Sequence, residues 1–405
     1  MSDGTQRRRS GIVNVFFLGM VSFFADISTE MVYPIIPLYL MAAFGATPAL
    51  VGVIEGIAES VASLLKVFSG YVSDRFAAKK PLAFGGYAAG VVYKVALIVA
   101  GSWAGILGAR VIDRIGKGIR TSPRDVMVAE STDGQAMGRS FGLHKALDMF
   151  GSALGILATY FILRGMHDSF DYRSLFLYST IPGVLSLVMF VFIKEKKHTV
   201  RPKREPFWKD ARRIDGQLKL YLVVCFLFTL GNSSNAFILI RAKASGFDDV
   251  SVILLYFLFN LVASVLAVPA GQLSDKIGRK KLLVGGYLVF SACYLGFAFS
   301  YGQWLMVATF VLYGAYTAMI TGVERAFVAE IAPPDLKGTM LGLQSTVVGV
   351  ALLPASIIAG VLWDVFGSWT TFAFGAALSF AAAMILLVFM RPIATSSGGP
   401  GTAAA

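Results

Sequence analysis

Apolar stretches long enough to cross a lipid bilayer recur from one end of this 405-residue chain to the other. A hydrocarbon core of about 30 Å needs roughly 20 residues of helix. Twelve stretches qualify: 12–42, 48–74, 80–101, 103–128, 138–164, 172–194, 218–242, 248–274, 280–300, 302–330, 337–363 and 368–391. Lipid satisfies no loose backbone groups, so a fully apolar span has to be a helix. A closed barrel would show alternating strands of about ten residues instead. Composition agrees, with 56% hydrophobic residues and a mean hydropathy of +0.69.

The chain also says nearly the same thing twice. Gly70-Tyr71-Val72-Ser73-Asp74-Arg75 returns as Gly271-Gln272-Leu273-Ser274-Asp275-Lys276. Val128-Ala129-Glu130, Gly138 and Gly142-Leu143 return as Val328-Ala329-Glu330, Gly338 and Gly342-Leu343. Such a repeat in a helical membrane chain signals two homologous bundles with a site at their interface. The expected architecture is an all-α membrane protein of twelve transmembrane helices in two pseudo-symmetric six-helix bundles. The divisions are 1–194, a basic linker 195–217, a second bundle 218–391 and a disordered tail 392–405.

The net charge of +12 is not a nucleic-acid signal, because the excess sits in loops of one parity. Arg7, Arg8 and Arg9 precede the first span, Lys79 and Lys80 follow the second, and Arg279, Lys280 and Lys281 follow the eighth. The linker carries nine more basic residues between Lys194 and Arg213. The loop 43–49 and its counterparts are nearly free of positive charge. The positive-inside rule then makes both termini and the linker cytoplasmic. The basic start leads into a span too long for a cleavable signal peptide, so none is expected. Cys225 and Cys293 fall inside spans and read as packing residues.

Charges inside a membrane cost about 2.5–3.5 kcal/mol each on insertion scales and are functional by default. The first half is full of them. Asp26 and Glu30 lie four apart on the first span, on one face with Ser22, Thr29 and Tyr33. Glu55 and Glu59 do the same on the second, with Lys66 two turns on. Arg110, Arg114 and Lys117 stripe the fourth span, with Asp113 beside them, and His144, Lys145, Asp148 and Ser152 share a face of the fifth. Helical periodicity makes each set a stripe. Six acids against six bases in these spans argue for a paired network. Arg114 needs a counter-charge, and the candidates are Asp26, Glu30 and Asp148.

The second half differs. Tyr256 aligns with Glu55, Asn260 with Glu59, Gly314 with Arg114 and Thr317 with Lys117. The seventh span carries Asn232, Ser233, Ser234 and Asn235; the tenth carries Tyr313, Tyr316, Thr317 and Thr321. One half reads as ionic, the other as neutral, polar and aromatic. This predicts a division of labour. Proton coupling falls to Asp26, Glu30, Glu55, Glu59 and Asp148. Substrate contacts fall to Arg110, Arg114, Lys117, Tyr33, Asn232, Asn235, Tyr256, Asn260 and Tyr316.

Over its whole length the chain resembles the major facilitator superfamily. That family's loop between its second and third helices reads G-x-x-x-D-R-x-G-R-R/K. Gly70, Asp74 and Arg75 match it, with Ala77-Ala78 in place of Gly-Arg; Gly271, Asp275, Lys276, Gly278, Arg279 and Lys280 match more fully. Arg110 and Gly116 fit the family's R-x-x-Q-G-x-G element, with Asp113 and Arg114 as departures. Gly142, Gly151 and Gly155 partly fit its antiporter signature, with Ile156 where Pro is expected. The segments 26–34 and 116–125 look like a bacterial branch of transporters. The resemblance implies gating by Gly70, Asp74, Arg75, Gly271, Asp275, Lys276 and Arg279, each carboxylate latching a partner helix N-terminus.

The resulting expectation is a monomeric secondary transporter of the bacterial cytoplasmic membrane, with no cofactor, working by alternating access. Proton-coupled efflux of a small amphipathic organic solute is the specific reading. Movement of an organic anion, a siderophore or copper, the last on Met20, Met31, Met127, Met149 and His144, is the alternative. A non-transporting sensor is a third class. No nucleotide loop, zinc spacing or nucleophile–base motif supports an enzyme.

Overall fold

The structure is a computed structural model that describes residues 2–76, 79–132, 137–165, 171–195, 215–300, 302–333 and 337–390. Side chains of 2–12, 67–76, 137–139 and 337–339 lie outside that description, as do the bulk of the expected linker and the expected disordered tail. The first half runs α1 (Ser2–Glu30), a 3-10 turn (Tyr33–Ile35), α2 (Ile36–Phe44), α3 (Pro48–Phe76), α4 (Lys79–Val99), α5 (Trp103–Glu130), α6 (Met137–Gly165) and α7 (Tyr172–Val191). The second runs α8 (Gly216–Gly231), α9 (Ala236–Ala244), α10 (Asp249–Ile277), α11 (Arg279–Phe299), α12 (Gln303–Ile320), α13 (Val323–Ile331), α14 (Lys337–Phe366) and α15 (Ser368–Phe389). Eleven segments of the described residues are long and apolar enough to cross a bilayer. The twelfth membrane helix, α5, has the length but carries Arg110, Asp113, Arg114, Lys117, Arg120, Arg124 and Asp125.

Three spans that read as single helices are broken. α1 gives way to α2 at Met31–Ile35, where Pro34 lacks the amide proton a helix needs. α8 and α9 part at Asn232–Asn235, whose short polar side chains compete for backbone groups; Ser234 Oγ accepts from the Ala236 amide at 3.2 Å. α12 and α13 part at Thr321–Gly322, and Gly322 has φ +87°, which a residue with a Cβ rarely adopts. Irregular backbone at membrane depth survives only where protein buries it or it lines a cavity. All three breaks contribute to the same cavity.

The repeat is visible as paired contacts at the basic end. Lys79 Nζ bonds Glu130 in the first half, and Arg279 Nη1 meets Glu330 at 3.1 Å in the second. Lys80 Nζ donates to the Ile193 carbonyl at 2.5 Å, and Lys280 Nζ to the Met390 carbonyl at 2.5 Å. Each pair clamps its own bundle.

The halves meet along α3 against α14 and α6 against α10. At the end opposite the basic loops this seam is very close. A Cβ added to Gly52 would sit 2.2 Å from the Ser356 carbonyl oxygen, and one on Gly360 would sit 2.6 Å from the Ala49 Cα. The Ala49 amide also donates to Asp364 at 3.2 Å, and Tyr172 Oη donates to Asp249 at 3.3 Å. Toward the basic end Thr321, Gly322 and Arg325 are exposed. The chain is therefore closed at one end and accessible from the other. Of the glycines that partly fit the antiporter signature, Gly151 and Gly155 press on the Phe23 and Ile27 carbonyls, while Gly142 has nothing within 4 Å.

This seam predicts that Gly52→Ala destabilises the protein by about 1–3 kcal/mol, the cost of overpacking a close contact. Gly142→Ala should stay within about 0.5 kcal/mol of the parent. Thermal unfolding of both variants in one detergent checks this; equal midpoints for the two would reject the close seam.

Candidate functional site

Helices α3 and α5 run in the same direction and both begin at the closed end. Glu55 and Glu59 step one turn along α3, and Arg110 and Arg114 step one turn along α5. Parallel helices with matched steps give two stacked ion pairs. Arg110 Nη2 donates to both Glu55 carboxylate oxygens, at 2.6 and 2.5 Å. Arg114 Nη2 lies 2.8 Å from Glu59 Oε1 and its Nε 3.8 Å from Asp113. Tyr33, at the break of the first span, lays its ring 5.3 Å from the Arg110 guanidinium and 5.6 Å from that of Arg114. Both arginines are almost fully buried.

A cavity of about 300 Å³ opens beside this ladder. Glu59 reaches it from the first half, with 29% of its side chain exposed. Tyr33 joins it there, and the other wall comes from Asn232, Ser233, Ser234, Asn235, Phe259, Tyr313, Tyr316, Thr317 and Thr321 of the second half, with Ile320 and Leu352. The amides are held by tyrosines: Tyr313 Oη donates to Asn235 Oδ1 at 2.8 Å, and Asn232 Nδ2 donates to Tyr316 Oη at 3.1 Å. Among the described residues the one charged side chain lining the cavity is thus a carboxylate already shared with an arginine.

Several expected site residues come together here and others do not. Tyr33, Glu59, Asn232, Asn235 and Tyr316 line the cavity, with Arg110 and Arg114 behind the wall. The partner of Arg114 is Glu59, not Asp26, Glu30 or Asp148, because α3 rather than α1 or α6 packs along α5. Lys117 lies in the field of Glu59, Asp113 and Asp26. Tyr256 and Asn260 are not among the lining residues. Tyr256 Oη donates across the seam to Glu30 at 3.0 Å, and Asn260 Nδ2 turns back to the Tyr256 carbonyl at 2.8 Å. Ser234 Oγ crosses to Glu55 at 3.4 Å. These two carboxylates therefore hold the halves together.

Asp26 and Asp148 sit away from the cavity, in a cluster with Arg120, Lys117 and Arg124. His144 Nδ1 is 3.7 Å from Asp148, and its Nε2 is 3.1 Å from Ser22 Oγ. Lys94 is buried and reaches Thr29 at 3.5 Å. Among the expected gating residues, Asp275 is 71% exposed and 3.7 Å from Arg279, Lys276 is exposed and Gly271 has open space around it. Gly70, Asp74 and Arg75 fall on α3, but their side chains lie outside the described residues.

The second half is not purely neutral, as its sequence suggested. Glu324, on the first turn of α13, accepts from Tyr287 Oη at 3.1 Å. The Glu324-Arg325 pair stands 200 residues after Arg124-Asp125, with the charges exchanged. Among the described residues no group of three His, Cys, Asp or Glu side chains is placed to hold a metal ion.

Comparison with known proteins agrees with this architecture. The profile of the Major Facilitator Superfamily matches residues 18–245 and 220–404, and the chain belongs to that family. The MFS-type transporter MJ1317 of Methanocaldococcus jannaschii is 34% identical over 380 residues, spanning 92% of this chain and 94% of that one. The inner membrane transport protein YajR of Escherichia coli is 26% identical over 429 residues, spanning 99% and 85%. The crystal structure of a point mutant of the nucleoside transporter NupG superposes with a TM-score of 0.81 at 12% identity, covering 93% of this chain and 100% of that one. A D-xylose–proton symporter gives 0.73 at 17%, covering 94% and 98%. At such identities these structures speak to the fold alone. The protein is an MFS transporter.

The ladder generates a stability prediction. Arg110→Met strands the buried Glu55 and should cost about 3–5 kcal/mol. Adding Glu55→Gln should recover most of that loss, since no lone charge remains. Unfolding midpoints of the single and double variants decide it; a double variant as unstable as the single one would show that the pair is not what matters.

Proposed function

We propose that the protein exchanges protons for a small amphipathic organic solute, moving that solute outward by alternating access. The observation that carries this reading is Glu59, the one charged group lining the cavity among the described residues. A carboxylate that faces the solute site can hold a proton or face a bound solute, and competition for one group produces exchange rather than co-transport. The opposite wall suits an amphipathic ligand, because aromatic rings and amides offer apolar surface with a few fixed polar contacts. By the positive-inside rule the basic end is cytoplasmic. The cavity is then accessible from the cytoplasm, and an inward proton gradient would drive the solute out. We place the chain in the inner membrane of a bacterium as a monomer with both termini cytoplasmic.

A second reading has its own observation. Protonating Glu59 releases Arg114, which leaves a guanidinium behind the cavity wall to hold an organic anion. Proton and anion would then travel together. The sign of proton movement separates the two readings.

The test is proton flux in proteoliposomes challenged with a panel of amphipathic cations, neutral solutes and organic anions. The expected result is counter-movement of protons with a solute of the first two kinds. Glu59→Gln should keep solute exchange and lose proton movement, since a neutral side chain mimics permanent protonation. Proton flux unchanged in Glu59→Gln would place coupling elsewhere, with Asp26→Asn the next variant to measure. Co-movement with an anion would select the second reading.

A further inference from the structure

We propose that Glu324 is a second proton-binding site, in the half that otherwise holds the solute-facing aromatic wall. The proposal rests on the transport reading for its role in a cycle, but the existence of the site can be tested without it.

Glu324 lies within a membrane-spanning segment, Gln303–Ile331. An ionisable group at that depth is expensive unless it is paired or functional. The other buried carboxylates of the ladder are paired: Glu55 to Arg110 and Glu59 to Arg114. Among the described residues no cation lies within ion-pair distance of Glu324. Its hydrogen bond is to a neutral hydroxyl, that of Tyr287. A fully buried carboxylate whose two oxygens both accept from an arginine, as in Glu55, resists protonation, whereas one held by a tyrosine can be satisfied in either form: charged, it accepts from the hydroxyl, and protonated, its other oxygen can donate. Nothing covalent changes; a proton arrives from water and leaves to water.

The surroundings define the site on every side. Helices α8, α11, α12 and α14 pack against α13. Tyr221 and Cys225 face Glu324 from α8, Tyr287 from α11, and Tyr316 from α12. α14 brings the neutral, buried Gln344, and Arg325 follows on α13 itself with its side chain exposed. Among the described residues of this set Glu324 is the one carboxylic acid, beside the tyrosine hydroxyls and the Cys225 thiol.

Its place in the fold links it to both solvent and cavity. Gly322, two residues earlier, is exposed and caps the start of α13, so water from the accessible end reaches the first turn of α13. On the inner side Tyr287 stacks on Phe228 with ring centroids 4.0 Å apart. Phe228 contacts Tyr316 at 6.2 Å between centroids, and Tyr316 lines the cavity. A change of charge at Glu324 therefore acts on the hinge of the tenth span and, through one stacked pair, on the solute wall.

The experiment uses the full-length protein in lipid, with pH as the only ligand. Infrared difference spectra across a pH titration should show the carbonyl stretch of a protonated carboxyl that Glu324→Gln removes and Glu59→Gln leaves. Tyr287→Phe should shift that band, because the carboxyl loses its hydrogen-bond partner; this variant keeps the carboxyl and serves if Glu324→Gln does not fold. Spin-label distances between the two bundles at the basic end should depend on pH in the parent and lose that dependence in Glu324→Gln. A band that persists in Glu324→Gln, or fails to move in Tyr287→Phe, would overturn the proposal. Absence of any solute transport by a protein that still shows the Glu324 band would count against the transport reading alone.

Discussion

Burying the charges of α5 is the constraint around which the first half is built. The helix presents Arg110, Asp113, Arg114, Lys117 and Arg120 inside a bundle in which four of these five are nearly inaccessible. An isolated ion at that depth would be costly, and a buried pair repays its desolvation only with good geometry. Parallel packing of α3 and α5 supplies that geometry, because both helices advance one turn between successive charges. Close approach is possible because Gly118 has no side chain: a Cβ there would meet the Leu65 Cβ at 2.6 Å. Tyr33 then covers both guanidiniums with one ring, adding a cation–π contact of about 0.5–2 kcal/mol per arginine. The outcome is a stiff wall with one carboxylate left at the solute face.

The two halves use different physics for the same job. Where the first half has its ion pairs, the second has Tyr256, Asn260, Gly314 and Thr317 at the corresponding positions. A neutral aromatic wall has no desolvation debt and can rearrange rings without breaking an ion pair. Tyr313 and Tyr316 hold Asn235 and Asn232 in place, so the broken seventh span keeps a defined shape without regular helical bonds. The clamps at the basic end, Lys79 with Glu130 and Arg279 with Glu330, lie within one half each. They stiffen the bundles and leave the space between them free to close.

Much of this was legible in the sequence, and its limits are instructive. Twelve spans, the twofold repeat and the stripes on the second and fourth spans follow from periodicity alone, because a helix places i and i+4 on one face. The partner of Arg114 did not follow, because helix adjacency is a tertiary fact: α3 and α5 are not consecutive, and only their packing aligns Glu59 with Arg114. The breaks were hidden for a different reason. Asn232–Asn235 and Thr321–Gly322 sit within runs apolar enough to read as continuous helix, and their turn-forming residues counted for less than the hydropathy around them. Glu324 has a signal, a charge pair 200 residues after Arg124-Asp125, but a lone carboxylate in an otherwise neutral half forms no stripe at helical spacing. Tyr256 aligns with Glu55 in sequence, yet its hydroxyl reaches Glu30 on the opposite half.

That last contact bears on how the closed end can open. The seam there is made of small residues and backbone, with Gly52 against Ser356 and Gly360 against Ala49. Separating such surfaces in lipid or water exposes little that must be re-paired, so the polar bonds across the seam set the stability of the closed state. Two of them end on carboxylates of the first half: Tyr256 on Glu30 and Ser234 on Glu55. A hydrogen bond to a charged acceptor is roughly twice as strong as one between neutral groups. Both oxygens of Glu55 are already engaged by Arg110, which makes its bond to Ser234 the fixed one of the two. Glu30 has no such arginine within ion-pair distance among the described residues, so its bond to Tyr256 is the one whose strength can vary with protonation. With one of these two bonds fixed and the other variable, the seam has a natural place for the proposed coupling ion to act. It lies on the seam itself, a short distance from the cavity that the same ion is proposed to contest.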